Sequence, residues 1–441
     1  MRWLIRDVTA IPLDEEGRIL SGVDIAIDGT RIAAVGQAPP DFAPDRVIDG
    51  REHVALPAFF NAHTHAAMTL ERGWAEDLPF DRWLNEKIWV AESALEEEDV
   101  YWGAALACCE MIRCGMVGFG DHYFWMDQTA RAVAEAGMKA SLAWCQFGIG
   151  AEHEIGGAVL EDTLAFVRRW HGAADGRIRC MLGPHSPYMC PPDWLRRAVE
   201  AATALDVGIH IHLSESQDQV NRSLAAYGRT PVAHLAHLGV FERPTLAAHC
   251  IVVSDEDLAI LAEKGVCVAH TPKTYQKLAM GMAPLERFLA AGIETGLGTD
   301  GPASNNDLNM LEVMRIAGLT HKNRIGNPAA FPNQTLLRLA TQGSARALGF
   351  GESGVLRPGA PADLILMDTR RAHWTPRHDL AANVVYASHP ADVRYVFCDG
   401  QALLEDGELT TLDEERIRAE AEQRAFRMVG RQMWQVRQYR G

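Results

Sequence analysis

The 441-residue chain predicts a (β/α)8 barrel of the TIM type with a small β-sandwich domain formed from both chain ends. Three observations carry this expectation. Eight apolar runs alternate with amphipathic segments through the middle of the chain. Short alternating strands with Asp-Gly turns occupy both ends. The unusual polar residues of the middle fall where the eight runs stop.

From the N-terminus, Val23-Asp24-Ile25-Ala26-Ile27 alternates, Asp28-Gly29 turns, and Arg31 to Val35 returns. The same texture reappears at Asp363 to Met367 and at Val393 to Cys398, which an Asp399-Gly400 turn follows. Residues 1–55 and 348–410 are therefore expected to build the sandwich. Residues 56–347 then form the barrel, and 411–441 form a charged C-terminal helix opened by Thr411-x-x-Glu414. The expected barrel strands are Val54–His65, Met116–His122, Met138–Cys145, Ile178–His185, Val207–Glu215, Thr245–Cys250, Val266–Thr271 and Ile293–Asp300. Helix signals lie between them, with Pro191-Pro192 opening one helix and Ser254-x-x-Asp257 forming a capping box for another.

Composition narrows the function. Hydrophobic content of 48% and charged content of 23% suit a globular enzyme. A formal net charge of −16 argues against nucleic-acid or anionic-membrane partners, which would want a basic face. The nine cysteines show no zinc-finger spacing and read as reduced thiols of a cytoplasmic protein. No apolar run has transmembrane length, and acidic residues interrupt the N-terminus before a secretory h-region can form. The expected partner is a small-molecule substrate, and a homo-oligomer remains open.

A barrel works at the C-terminal ends of its strands. There stand His63 and His65, Asp121 and His122, His185, His212 and Glu215, His249, His270 and Asp300. A single histidine near a strand end is usually a hydrogen-bonded core residue. Random placement would not put nearly all of them on one rim. A catalytic metal needs three or four converging ligands and a position left for water. His63, His65, His212 and Asp300 supply three imidazoles and a carboxylate, suited to Zn²⁺ and also to Fe²⁺ or Ni²⁺. A second metal would want a bridging anion such as a carboxylated lysine. No lysine occurs between Lys139 and Lys264, so one divalent metal is expected.

Five motifs occur in order: His63-Thr-His65, Gly183-Pro-His185-Ser-Pro-Tyr188, His212-Leu-Ser-Glu215, Ala248-His249-Cys250 and Gly298-Thr-Asp300-Gly301. Together they resemble the amidohydrolase superfamily, in its branch of 5-methylthioadenosine/S-adenosylhomocysteine deaminases. The resemblance spans nearly the whole chain and implies a hydrolytic deaminase with a single zinc. It places His63, His65, His212 and Asp300 on the metal and gives Glu215, His249 and Asp300 the handling of protons. It puts substrate contacts on Glu92, Trp83 and His185. By that resemblance Glu92 would grip the ribose hydroxyls; the plainer alternative is a solvated helix carboxylate. The resembling sequences usually read His-Asn-Pro-x-Ser-Asn-x-Lys-Leu after strand seven. Here the stretch is His270-Thr271-Pro272-Lys273-Thr274-Tyr275-Gln276-Lys277-Leu278, a change that bears on substrate rather than on the metal.

Two further patterns are set aside. Gly296-Leu-Gly298-Thr-Asp-Gly301 fits G-x-G-x-x-G but lies at the eighth strand, not in an opening βαβ unit. Glu96 to Asp99 read as a solvated helix start, and Trp89 as a core aromatic. Beside the purine-nucleoside deaminase stand two rivals. One is a hydrolase of another heterocycle on the same scaffold, such as a guanine- or cytosine-type deaminase, a triazine chlorohydrolase or a cyclic amidase. The other is a metal-free interaction protein. Resembling sequences that accept an amino-acid tail tend to carry arginine after strand three, whereas Trp144 to Gly150 carries no arginine or lysine, so the resemblance implies a neutral 5′ group.

Overall fold

A computed structural model describes residues 1–147 and 159–430. Eight parallel strands form the barrel: Phe59–Thr64, Met116–Tyr123, Lys139–Gln146, Ile178–Pro184, Gly208–Leu213, Thr245–His249, Cys267–His270 and Thr295–Leu297. They pair in sequence order from first to eighth. Most of their residues are buried, as expected of parallel strands covered by helices on one side and filled by side chains on the other.

The eighth strand meets the first through Asp300, whose N–H donates to the His63 carbonyl at 3.0 Å. Asn61 and Thr299 lock the same seam with two reciprocal bonds of 2.7 and 2.9 Å. Gly298 permits this approach, because a Cβ there would stand 2.9 Å from the His63 carbonyl oxygen.

The expected strand Val54–His65 is two strands. His53–Pro57 belongs to the small sheet, antiparallel to Leu364–Asp368, and the chain enters the barrel only at Phe59. The run is apolar throughout because both halves are buried, so hydrophobicity does not mark the break at Ala58.

The small domain is one nine-stranded sheet drawn from both chain ends. Trp3 on its strand Arg2–Ala10 meets Phe397 on Val393–Cys398, three places away in strand order, with ring centroids 5.2 Å apart. That contact requires the sheet to curl over its own core, where Ile5, Ile25, Ala55, Leu364 and Leu366 also pack. Lys139 ties this domain to barrel strand three. It is buried and bonded to Asp363 and Asp399, so its ammonium fills the acidic cluster of Asp363, Cys398 and Asp399.

Two helix expectations change in detail. The C-terminal helix Glu414–Met428 is capped by Asp413 rather than Thr411, and residues 431–441 lie outside the described part. Asp99 is not solvated. It is fully buried in the capping box of helix Glu97–Arg113 and accepts hydrogen bonds from Arg424 and Arg427. Pro192 and the Ser254–Asp257 box open their helices as the sequence indicates. The nine cysteines form no disulfide with one another, and among the described residues no helix is long and apolar enough to cross a membrane.

Candidate active site

His63 and His65 share one face of the first strand because side chains two apart point the same way. His212 reaches them from the fifth strand, and the ligand atoms of the three imidazoles all lie within 4.8 Å of one another. His65 Nε2 is 3.4 Å from His212 Nε2 and 3.3 Å from Asp300 Oδ1, which is 3.6 Å from His63 Nε2. A tetrahedron of ligands on bonds of about 2.0–2.1 Å has edges of about 3.3–3.4 Å, so these spacings suit a metal of zinc's size.

The other nitrogen of each ring is already held. His65 Nδ1 donates to the His122 carbonyl at 2.6 Å, and His212 Nδ1 to the His185 carbonyl at 2.9 Å. His63 Nδ1 lies 2.9 Å from His210 Nε2. Each Nε2 lone pair is thereby turned to the centre, the tautomer that metal ligation requires. His63 Nε2 is buried with no hydrogen-bond partner among the described residues, an orphan that a metal would satisfy.

Electrostatics agree with this assignment at His63 and His212; at His65 the effect of burial is outweighed by the Asp300 carboxylate, which raises that imidazole. Burial pushes the His63 imidazole well down, and that of His212 down to about 4, so both are neutral and able to ligate at pH 7. Burial alone would raise Asp300. The imidazoles of His65 and His249 outweigh it and hold the carboxyl well below its usual range.

The backbone is strained where these residues emerge. Ser214, His249, Cys250 and Asp300 all have positive φ, from 51° to 79°. Gly301 allows Asp300 its place, since a Cβ there would come 3.1 Å from that of His65.

Above the cluster lies a cavity, part enclosed and part open to solvent. His65, His212, Asp300, Glu215 and His249 line it, and His63 lies beneath. Glu215 Oε1 accepts a 2.8 Å hydrogen bond from the Tyr188 hydroxyl. His185 stacks on His212 with centroids 4.6 Å apart and packs against Phe147. Phe80, Trp83, Trp89, Phe124 and Phe147 supply aromatic walls, so Trp89 lines the cavity as well as packing on the core.

Glu92 also lines the cavity and is 2% exposed, which rules out a solvated carboxylate. Burial pushes its carboxyl up to about 7, with the Tyr123 hydroxyl restraining the rise. Glu71 is buried as well, with neither carboxylate oxygen hydrogen-bonded among the described residues.

Not every rim residue joins the site. His270 does not line the cavity; its Nε2 lies 3.1 Å from that of His321, on the helix Met310–Ile325. Asp121 supports the site from outside, accepting the Ala66 N–H at 2.8 Å just past His65. Sequence reasoning gave no role to Tyr188, His210, Tyr123 or the walls Phe124 and Phe147. Position in the His185-Ser-Pro-Tyr188 motif and in the His210-Ile-His212 pair were the signals for the first two. Gly148 to Gly150, in the segment expected to show a missing cation, lie outside the described residues.

Comparison with known proteins follows the same lines. Residues 54–403 match the amidohydrolase family model. The chain is 48% identical over 432 residues to the 5-methylthioadenosine/S-adenosylhomocysteine deaminase of Pelotomaculum thermopropionicum, covering 97% of this chain and 99% of that one. It is 47% identical over 425 residues to the enzyme of that name from Moorella thermoacetica, covering 96% and 98%. Among solved structures, an adenosine deaminase from Xanthomonas campestris with bound zinc superposes with a TM-score of 0.91 at 31% identity, covering 97% of this chain and 98% of that one. The atrazine chlorohydrolase of Arthrobacter aurescens TC1, complexed with zinc, gives 0.88 at 28% identity, covering 96% and 100%.

Proposed function

The chain belongs to the amidohydrolase family, and from that premise we propose that it is a zinc-dependent deaminase of adenine nucleosides whose 5′ group is uncharged, such as 5′-methylthioadenosine. One observation carries this proposal. A donor cluster suited to one metal, the acid Glu215 and the buried carboxyl Glu92 all face a single aromatic-walled cavity.

His63, His65, His212 and Asp300 would hold the metal. When bound, a metal of this kind lowers the pKa of water toward about 7 and so supplies hydroxide at neutral pH. Glu215, fixed by Tyr188, protonates the ring nitrogen beside the amine-bearing carbon as that carbon is attacked. His249 steadies the oxygen that adds to the ring. Asp300 accepts the proton released by the attacking water and returns it to departing ammonia.

Glu92 accepts the two ribose hydroxyls, a task suited to a carboxylate, which offers acceptors only. Trp83 and His185 flank the bound nucleoside. Neither lysine nor arginine lines the cavity among the described residues, and the sequence from 148 to 158 contains none. Met68, Leu84, Ile88, Leu278 and Met280 supply instead an apolar surface for a thioether.

A panel assay of ammonia release tests the proposal, using zinc-loaded protein with 5′-methylthioadenosine, adenosine, guanine, cytosine and an aminotriazine. The adenine nucleosides should react with the highest kcat/KM. Turnover of a free base or triazine with no nucleoside reaction would overturn it.

A further inference from the structure

His249 ends the sixth barrel strand with φ at +79°, and Cys250 follows at +51°. Two successive non-glycine residues in this region need surroundings that hold them there. The Cys250 N–H donates to the Leu213 carbonyl at 2.9 Å, and three further hydrogen bonds tie His249 to the segment after the seventh strand. The Tyr275 hydroxyl donates to the His249 carbonyl at 3.2 Å and accepts the Thr271 N–H at 3.0 Å. Thr271 Oγ1 in turn lies 3.1 Å from His249 Nδ1.

All three residues are at most 3% exposed, so water does not compete for these bonds. Thr271 follows the seventh strand directly. Tyr275 is carried by the helix Pro272–Lys277, which has proline at its first position, where the missing N–H costs nothing. Both residues fall in the stretch where this chain departs from the pattern it otherwise resembles.

We propose that Thr271 and Tyr275 form a clamp that sets both the backbone and the ring of His249, which makes them positioning residues for the deamination. Tyr275 fixes the strained carbonyl, and Thr271 fixes the ring through Nδ1. The ring's Nε2 is thus left to act in the cavity. Neither clamp residue belongs to the donor cluster. The clamp rests on the role proposed for His249, and a shift of that ring by about 1 Å is enough to cost a large factor in rate.

The test compares Thr271→Val, Thr271→Ser, Tyr275→Phe and His249→Ala in the full zinc-loaded chain, with 5′-methylthioadenosine as substrate. Valine keeps the shape of threonine and removes its hydroxyl; serine keeps the hydroxyl. Thr271→Val should retain one metal per chain and a KM within about threefold of wild type, while kcat falls about 10- to 100-fold. Thr271→Ser should recover most of that loss, which a purely structural role would not give. Tyr275→Phe should show the same split between kcat and KM, and it decides the matter should Thr271→Val fail to fold. Wild-type kcat in Thr271→Val and Tyr275→Phe beside an inactive His249→Ala would overturn the clamp alone. Wild-type kcat in His249→Ala would overturn the role of His249 and the clamp with it.

Discussion

His63 Nδ1 stands 2.9 Å from His210 Nε2, and both rings are fully buried. The other two clustered imidazoles rest on backbone carbonyls, so only His63 depends on a side chain for its orientation. Because the acceptor is a side chain, it can be removed by mutation. Loss of such an outer partner commonly costs about 10–100-fold in metal affinity. His210→Ala should therefore bind zinc that much more weakly in competition with a chromophoric chelator. His210→Gln, which keeps an acceptor, should recover part of the loss. Unchanged affinity in His210→Ala would show that His63 needs no partner.

Glu215 and His212 sit three residues apart and should fail in different ways. Glu215→Gln should keep its metal and its fold while kcat falls by about 10² or more, the scale for a positioned acid. His212→Ala should lose the metal itself. Elemental analysis beside steady-state rates separates the two. A Glu215→Gln enzyme with wild-type turnover would move the acid elsewhere.

The barrel was legible because buried parallel strands read as apolar runs, and polar side chains interrupt those runs at one end. His212, His249 and Asp300 stand out for that reason. The same rule overreached at His270, whose partner His321 lies on a helix more than fifty residues on. It also fused His53–Pro57 with Phe59–Thr64, since burial on both sides of Ala58 leaves no polar mark. Glu92 could not be placed from sequence: a carboxylate beside Glu96 to Asp99 looks solvated until the walls around it are known. Thr271 and Tyr275 act only through contacts made across the fold, which no local spacing encodes.

The buried state of Glu92 gives a pH dependence with a definite sign. Burial pushes its carboxyl up to about 7, so it is protonated on the acid side and loses acceptor capacity for a diol. For ribosyl substrates kcat/KM should rise as pH passes upward through about 7. Glu92→Gln should flatten that rise. Glu92→Ala should cost about 1.5–3 kcal/mol in kcat/KM, the range for a hydrogen bond to a charged group, and little for a base lacking the sugar. A kcat/KM that falls with pH across this window would remove Glu92 from the diol.

The absence of basic residues from the described cavity lining sets a preference between tails. The carboxylate of S-adenosylhomocysteine would find no lysine or arginine there, whereas the methylthio group would meet apolar and aromatic surface. Measured side by side, 5′-methylthioadenosine should show the higher kcat/KM. A clear advantage for S-adenosylhomocysteine would place a cationic partner elsewhere in the chain.

The central claim is one catalytic metal serving adenine deamination, and a single titration addresses both parts. Zinc is added in steps to metal-free protein while the ultraviolet change from adenine to hypoxanthine in 5′-methylthioadenosine is followed. The rate should climb linearly and level off at one equivalent per chain. A plateau reached only at two equivalents, or metal uptake with no hypoxanthine formed, would contradict the claim.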